Sequence, residues 1–207
     1  MVLKHDSNGI SDEDMWKQLQ KEYKDKYDMS WIGQYGFNNT YALIIREEAA
    51  KKYNLTKTSQ LANVSDELVF GGNSDYIERK DGFHLLCDTY GLKFKDVKDI
   101  DIGLKYEALK KGDIDVSNGF TTDAQLSNDN VRVLEDDKHL QVNYFCSNVV
   151  RNDTLKSHPG LEEAIMKLDN SITDKEMASL NYKVEVEGKE DVQVAKDYLT
   201  EKGIIKQ

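Results

Sequence analysis

Residues 108–123 read ALKKGDIDVSNGFTTD. The first half continues a helical pattern from Leu104 to Lys111, and Gly112-Asp113 is a turn pair that stops it. Ile114–Phe120 then reads as a strand, and Thr121-Thr122-Asp123 closes it with small polar residues. A helix followed within two residues by a buried strand is the unit of an α/β fold. Strands that alternate with helices imply parallel pairing.

The same alternation runs outward in both directions. Met29–Ile32 and Tyr41–Ile45 read as strands, and Arg46–Tyr53 as a helix, with a short helical segment from Ser59. Leu68–Phe70 is a brief strand closed by Gly71-Gly72, and Asp75–Tyr90 a helix stopped at Gly91. A strand is expected around Phe94, and further strands at Val131–Leu134 and Val142–Val150. Near the N-terminus Ser11 caps a helix whose first turn is acidic, and Trp16, Leu19, Tyr23 and Tyr27 fall on one apolar face. Beyond Pro159 three helices are expected, at Leu161–Leu168, Asp174–Tyr182 and Asp191–Lys202.

Composition narrows the function. The chain has 207 residues, with 28 Lys+Arg against 38 Asp+Glu, a net charge of −10. Phosphate binding needs a basic surface, so nucleic acid is not an expected partner. No apolar run approaches the roughly 18 residues of a membrane span, and MVLKHDSNGISDED lacks the apolar centre of a signal peptide. Cys87 and Cys146 are too few for a disulfide framework and are expected to be buried free thiols. The histidines His5, His84, His139 and His158 have no metal-ligand spacing, and there is no nucleophile elbow or phosphate-binding loop. Cys87 follows His84 by three residues, a pairing better read as helix packing than as a catalytic dyad. Asp99-x-Asp101-x-Gly103 echoes a calcium loop but lacks the later glutamate. Neither catalysis, nor a metal, nor a cofactor is expected.

Aromatic residues carry the stronger signal. Tyr41, Phe120 and Tyr144 lie at or beside strand ends among small polar residues, where open α/β sheets place their ligands. Tyr41 is entered through Asn38-Asn39-Thr40, an unusually polar approach to a buried strand. Arg79 lies in YIERKDG, with Asp81 as its obvious alternative partner. Taken together, GFNNTYAL (36–43), YIERKDG (76–82), ALKKGDIDVSNGFTTD and KHLQVNYFCSNVVR (138–151) resemble the substrate-binding proteins of ABC importers for glycine betaine, choline and carnitine. The stretch TDKEMASLNYKVEVEGKEDVQVAKDYLTEKGI (173–204) is similar to the tail of that family.

The resemblance implies an α/β fold of the periplasmic-binding-protein type (type II), with one complete lobe and part of the second. It implies residues 1–35 as the remnant of lobe I, 36–137 as lobe II, and 138–207 as the return crossover with the C-terminal helices of lobe I. It implies non-catalytic capture of a quaternary ammonium osmoprotectant and delivery to a permease on the outer face of the cell membrane or in the periplasm. A trimethylammonium head has no N–H to donate, so aromatic faces suit it, and a carboxylate tail suits arginine. By position, Asn39, Tyr41, Arg79, Phe120 and Tyr144 would be the ligand-binding residues, with Phe120 standing where the family commonly has tyrosine. By the same resemblance, the N-terminal part of the family's first lobe is expected to have no counterpart in these residues. The chain is then expected to be a portion of a longer binding protein or permease fusion, with completion by a homodimer or domain swap as another route. Two alternatives stay open: another trimethylammonium betaine, such as a trimethylated histidine derivative, and a degenerate module without ligand binding.

Overall fold

The computed structural model describes residues 10–127 and 130–206. The chain divides into two compact units. One holds residues up to Phe37, Phe145–Thr173 and the chain from Leu199 on; the other holds Asn38–Tyr144 and Asp174–Tyr198.

The first unit is mainly helical. Helix α1 (Asp12–Tyr27) starts where expected: the Ser11 hydroxyl oxygen accepts the Asp14 amide at 3.1 Å, and Asp12, Glu13 and Asp14 face the positive end of the helix. Its aromatic stripe packs on strand β1 (Met29–Ile32), with Trp16 and Tyr23 meeting the Trp31 ring edge-on at 5.8 and 5.2 Å. β1 pairs antiparallel with a later strand at Asn148–Arg151. Gly36 sits at φ +104°, and a Cβ there would lie 2.9 Å from the Ile172 carbonyl, so only glycine suits this close approach.

The second unit is built on a five-stranded sheet. In chain order its early elements are β2 (Tyr41–Arg46), α2 (Glu47–Tyr53), β3 (Val69–Gly72), α3 (Ser74–Glu78) and α4 (Phe83–Tyr90). They are followed by β4 (Asp96–Asp99), α5 (Lys105–Lys111), β5 (Val116–Phe120) and β6 (Val131–Leu134). The strand order is β4-β3-β5-β2-β6. β3 runs parallel to β4 and β5, but β2 is antiparallel to both β5 and β6. The pairing is therefore mixed, a correction to the all-parallel expectation. β2 enters the sheet from the crossover at Asn38 rather than through a helix on its face, so its direction is free to reverse.

β2 is buried on both faces. Leu43 and Ile45 pack with Leu61, Phe70, Leu86 and Tyr90 on one side, and Ala42 and Ile44 with Leu109 and Ile114 on the other. Phe70 is fully buried, with the Phe83 ring 4.6 Å away, and burying such a side chain contributes about 2–3 kcal/mol.

The remaining elements are β7 (Asn148–Arg151), α6 (Asn152–Ser157), α7 (Leu161–Met166), α8 (Asp174–Glu185) and α9 (Asp191–Glu201). Three differences from the sequence reading stand out. The helix expected over Asp75–Tyr90 is two helices, α3 and α4, because the chain doubles back at Gly82, where a Cβ would lie 2.0 Å from the Tyr76 carbonyl. The strand expected over Val142–Val150 shrinks to β7, since only Asn148–Arg151 has a partner strand. The C-terminal helices, expected with the first lobe, contribute Asp174–Tyr198 to the sheet unit, where the Asn181 amide donates to the Thr122 carbonyl at 2.8 Å. Cys87 and Cys146 are free but only partly buried.

Candidate functional site

Parallel β3 and β5 point their carboxyl ends at one edge of the sheet, and antiparallel β2 begins there. Register places Tyr41 opposite Phe120. Their rings stack at 4.9 Å with an interplanar angle of 23°, both half-buried. β3 leads into α3, which sets Tyr76 against Tyr41 at 5.3 Å, tilted by 55°. Tyr76 is 3% exposed, and burial pushes its hydroxyl well above the usual tyrosine range, with the neighbouring Tyr41 adding to the shift. Tyr76 lies within YIERKDG but is not among the five residues nominated from the sequence; its place one turn into a helix that follows a strand end was the available signal.

The polar approach to Tyr41 is a set of ties. Asn38 donates its amide N–H to Asp174 at 2.7 Å and its side-chain NH2 to Asn143 at 2.6 Å, and its Oδ1 accepts the Tyr144 amide at 2.6 Å. The buried Thr40 hydroxyl donates to the Val142 carbonyl at 2.6 Å. Asn39 is exposed, and its Oδ1 accepts from Thr122 Oγ1 at 2.8 Å. The Thr121 amide donates to Thr40 O at 3.0 Å, and its hydroxyl donates to Asn38 O. Asn38, Asn39 and Thr40 thus clamp the crossover segment to the strand-closing Thr121-Thr122 and to 142–144.

Of the five nominated residues, the structure brings Tyr41 and Phe120 into ring contact and ties Asn39 beside them through Thr122. Tyr144 reaches the same crossover by its backbone, its carbonyl accepting the Asn39 amide at 3.1 Å. Its ring is 49% exposed and makes no ring contact with the stacked pair. Arg79 follows α3 directly and is exposed, and its Nε and Nη2 bind both Asp81 oxygens at 2.9 and 2.7 Å. That pairing holds the Asp81 carboxyl below the usual range, while Asp81, then Tyr41, push the guanidinium up.

A cavity of about 330 Å³ adjoins Tyr41. Thr40–Leu43 form one wall, and Glu135, Asp136, His139, Gln141 and Asn143 another. Asp136 anchors that second wall by accepting from the Tyr90 hydroxyl and from the amides of Leu140 (3.1 Å) and Gln141 (2.7 Å). Among the described residues no cluster of His, Cys, Asp and Glu is arranged to hold a metal ion, and His5 lies outside them. His84 and Cys87 share α4, and burial pushes the Cys87 thiol up to about 11, away from the range of a reactive thiolate.

The mixed α/β sheet is that of a type II periplasmic-binding-protein fold. A solved structure described as a glycine betaine/carnitine/choline ABC transporter superposes with a TM-score of 0.87 at 36% identity, covering 94% of this chain and 71% of that one. Residues 8–201 match the family described as the substrate binding domain of the ABC-type glycine betaine transport system, and the chain belongs to that family. A relative from Helicobacter pylori, an ergothioneine transport permease/ergothioneine binding protein, is 38% identical over 186 residues. That match covers 90% of this chain and 34% of the relative. The carnitine transport binding protein OpuCC of Listeria monocytogenes is 36% identical over 182 residues, 87% of this chain and 59% of that protein. The chain therefore spans about a third and about three fifths of these two relatives. No helix among the described residues is long and apolar enough to cross a membrane.

Proposed function

We propose that this chain captures a small quaternary ammonium compound, of the class of glycine betaine, carnitine or choline, for delivery to an ABC transporter permease. Capture is non-catalytic and takes place outside the cell membrane. The observation that carries the reading is the Tyr41–Phe120 stack at the strand ends, with Tyr76 against it. A methylated onium ion is held by the negative faces of such rings, each contact supplying about 0.5–2 kcal/mol. Tyr144 and Asn39 complete the ligand set from the crossover. Arg79 receives a ligand carboxylate in exchange for part of its contact with Asp81. Phe120 keeps the π face of the family's tyrosine and gives up only its hydroxyl.

Titration calorimetry with glycine betaine, choline and carnitine tests this. Heat with at least one ligand, lost in Tyr41→Ala, is the expected result. Silence from all three in a folded protein would leave a module without this activity. The Helicobacter relative favours one further arm, ergothioneine, a betaine whose ring needs more room than the other three.

A further inference from the structure

The Thr121-Thr122 side of the strand end ties to the crossover, but its last residue turns the other way. Asp123 Oδ2 accepts three donors: Lys105 Nζ at 3.0 Å, the Tyr106 hydroxyl at 2.6 Å and the backbone N–H of Phe120 at 3.1 Å. The Asp123 amide returns a bond to the Phe120 carbonyl at 3.0 Å, so the turn is closed in both directions. Lys105 is 6% exposed, a lysine buried at the first position of α5, and Asp123 is its ion-pair partner. Gly119 makes the approach feasible, since a Cβ there would lie 2.9 Å from Asp123 Oδ2 and 2.1 Å from Ile44 Cδ1.

We infer that Asp123, held by Lys105 and Tyr106, is a positioning residue that fixes the end of β5 so that the Phe120 ring stacks on Tyr41. Burying a charged pair is a poor route to stability, because desolvation offsets most of the attraction. Its geometry is nevertheless directional: one carboxylate oxygen ties the first turn of a helix to the amide of the aromatic residue itself. Phe120 has no ring partner other than Tyr41 among the described residues, so its orientation depends on its backbone. The inference deepens the capture reading and rests on it for its consequence, but not for its first test.

That test needs no ligand. In protein carrying labelled phenylalanine, the Phe120 ring resonances should be displaced from free phenylalanine by the Tyr41 face 4.9 Å away. Asp123→Asn should move them most of the way back to the free value with circular dichroism unchanged. Ring signals that stay at their parent positions overturn the inference. Should Asp123→Asn fail to fold with Lys105 left unpaired, the neutral pair Lys105→Met/Asp123→Asn is read by the same criterion. Affinity supplies the second readout. Asp123→Asn should weaken glycine betaine binding about tenfold, and less than about twofold in a Phe120→Ala background. Equal losses in both backgrounds would make the role merely structural and overturn it. If the parent chain binds none of the ligands, the capture reading fails, and the ring resonances alone decide the role of Asp123.

Discussion

Two aromatic groups among the described residues, one in each unit, contrast in their packing. In the helical unit Trp16 and Tyr23 meet Trp31 at 87° and 90°, edge against face. In the sheet unit Tyr41 and Phe120 lie at 23°. An edge-to-face contact sets the positive rim of one ring on the negative face of another. A near-parallel pair keeps one outward electron-rich face on each ring, the kind of surface that attracts a cation. The surroundings agree. Trp31 Nε1 is buried without a hydrogen-bond partner among the described residues, whereas Tyr41 is reached through hydrogen-bonded Asn39 and Thr40. Aromatic content alone says little, then; the polar company of Tyr41 is what distinguishes it under the proposed reading.

Substitutions in the two clusters should behave differently. Tyr41→Ala removes a face from the stack and a neighbour from Tyr76, and should weaken ligand binding by about 30-fold or more, about 2 kcal/mol. Calorimetry gives the number, and a loss below fivefold would equate the two clusters. Arg79→Ala should cost about tenfold for glycine betaine and carnitine, which carry a carboxylate, and leave choline unchanged. Equal losses for all three ligands would remove Arg79 from carboxylate recognition. Tyr144→Ala should have a smaller effect, about threefold, because cation–π contacts at exposed sites are weak. Trp16→Ala is expected to do the reverse: a stability loss of about 2 kcal/mol in denaturant titrations, with affinity changed less than about threefold.

Much of this organisation was legible in the sequence. Ser11 with Asp12 to Asp14 marks the start of α1, and Gly112 and Gly91 end α5 and α4 in the left-handed conformation expected of them. The apolar run of β2 predicts its burial, and Tyr41 and Phe120 prove to be register partners. What escaped depends on contacts distant in the chain. Tyr76, Phe83, Leu86 and Tyr90 keep a helix-like spacing across the break at Gly82, so α3 and α4 read as one helix. The alternation that implies parallel pairing is interrupted before β2, which follows β1 with no helix between them, and the reversal of β2 is set by its approach from Asn38. Val142, Tyr144 and Phe145 have strand-like composition, yet side chains at Asn38 and Thr40 bind the backbone of 142–144 in place of a partner strand. Asp123 offered no local signal, because its three donors come from Phe120 and from a helix that begins eighteen residues earlier.

The most direct test strips the ligand to its head group. Tetramethylammonium titrated into the protein and followed by proton NMR should show its methyl signal displaced upfield by ring currents. The displacement should vanish in Tyr41→Ala and persist in Trp16→Ala. A methyl signal that stays at its free position in the parent protein, or one that moves equally in all three, would contradict the central claim that the stacked rings at the strand ends receive the onium ion.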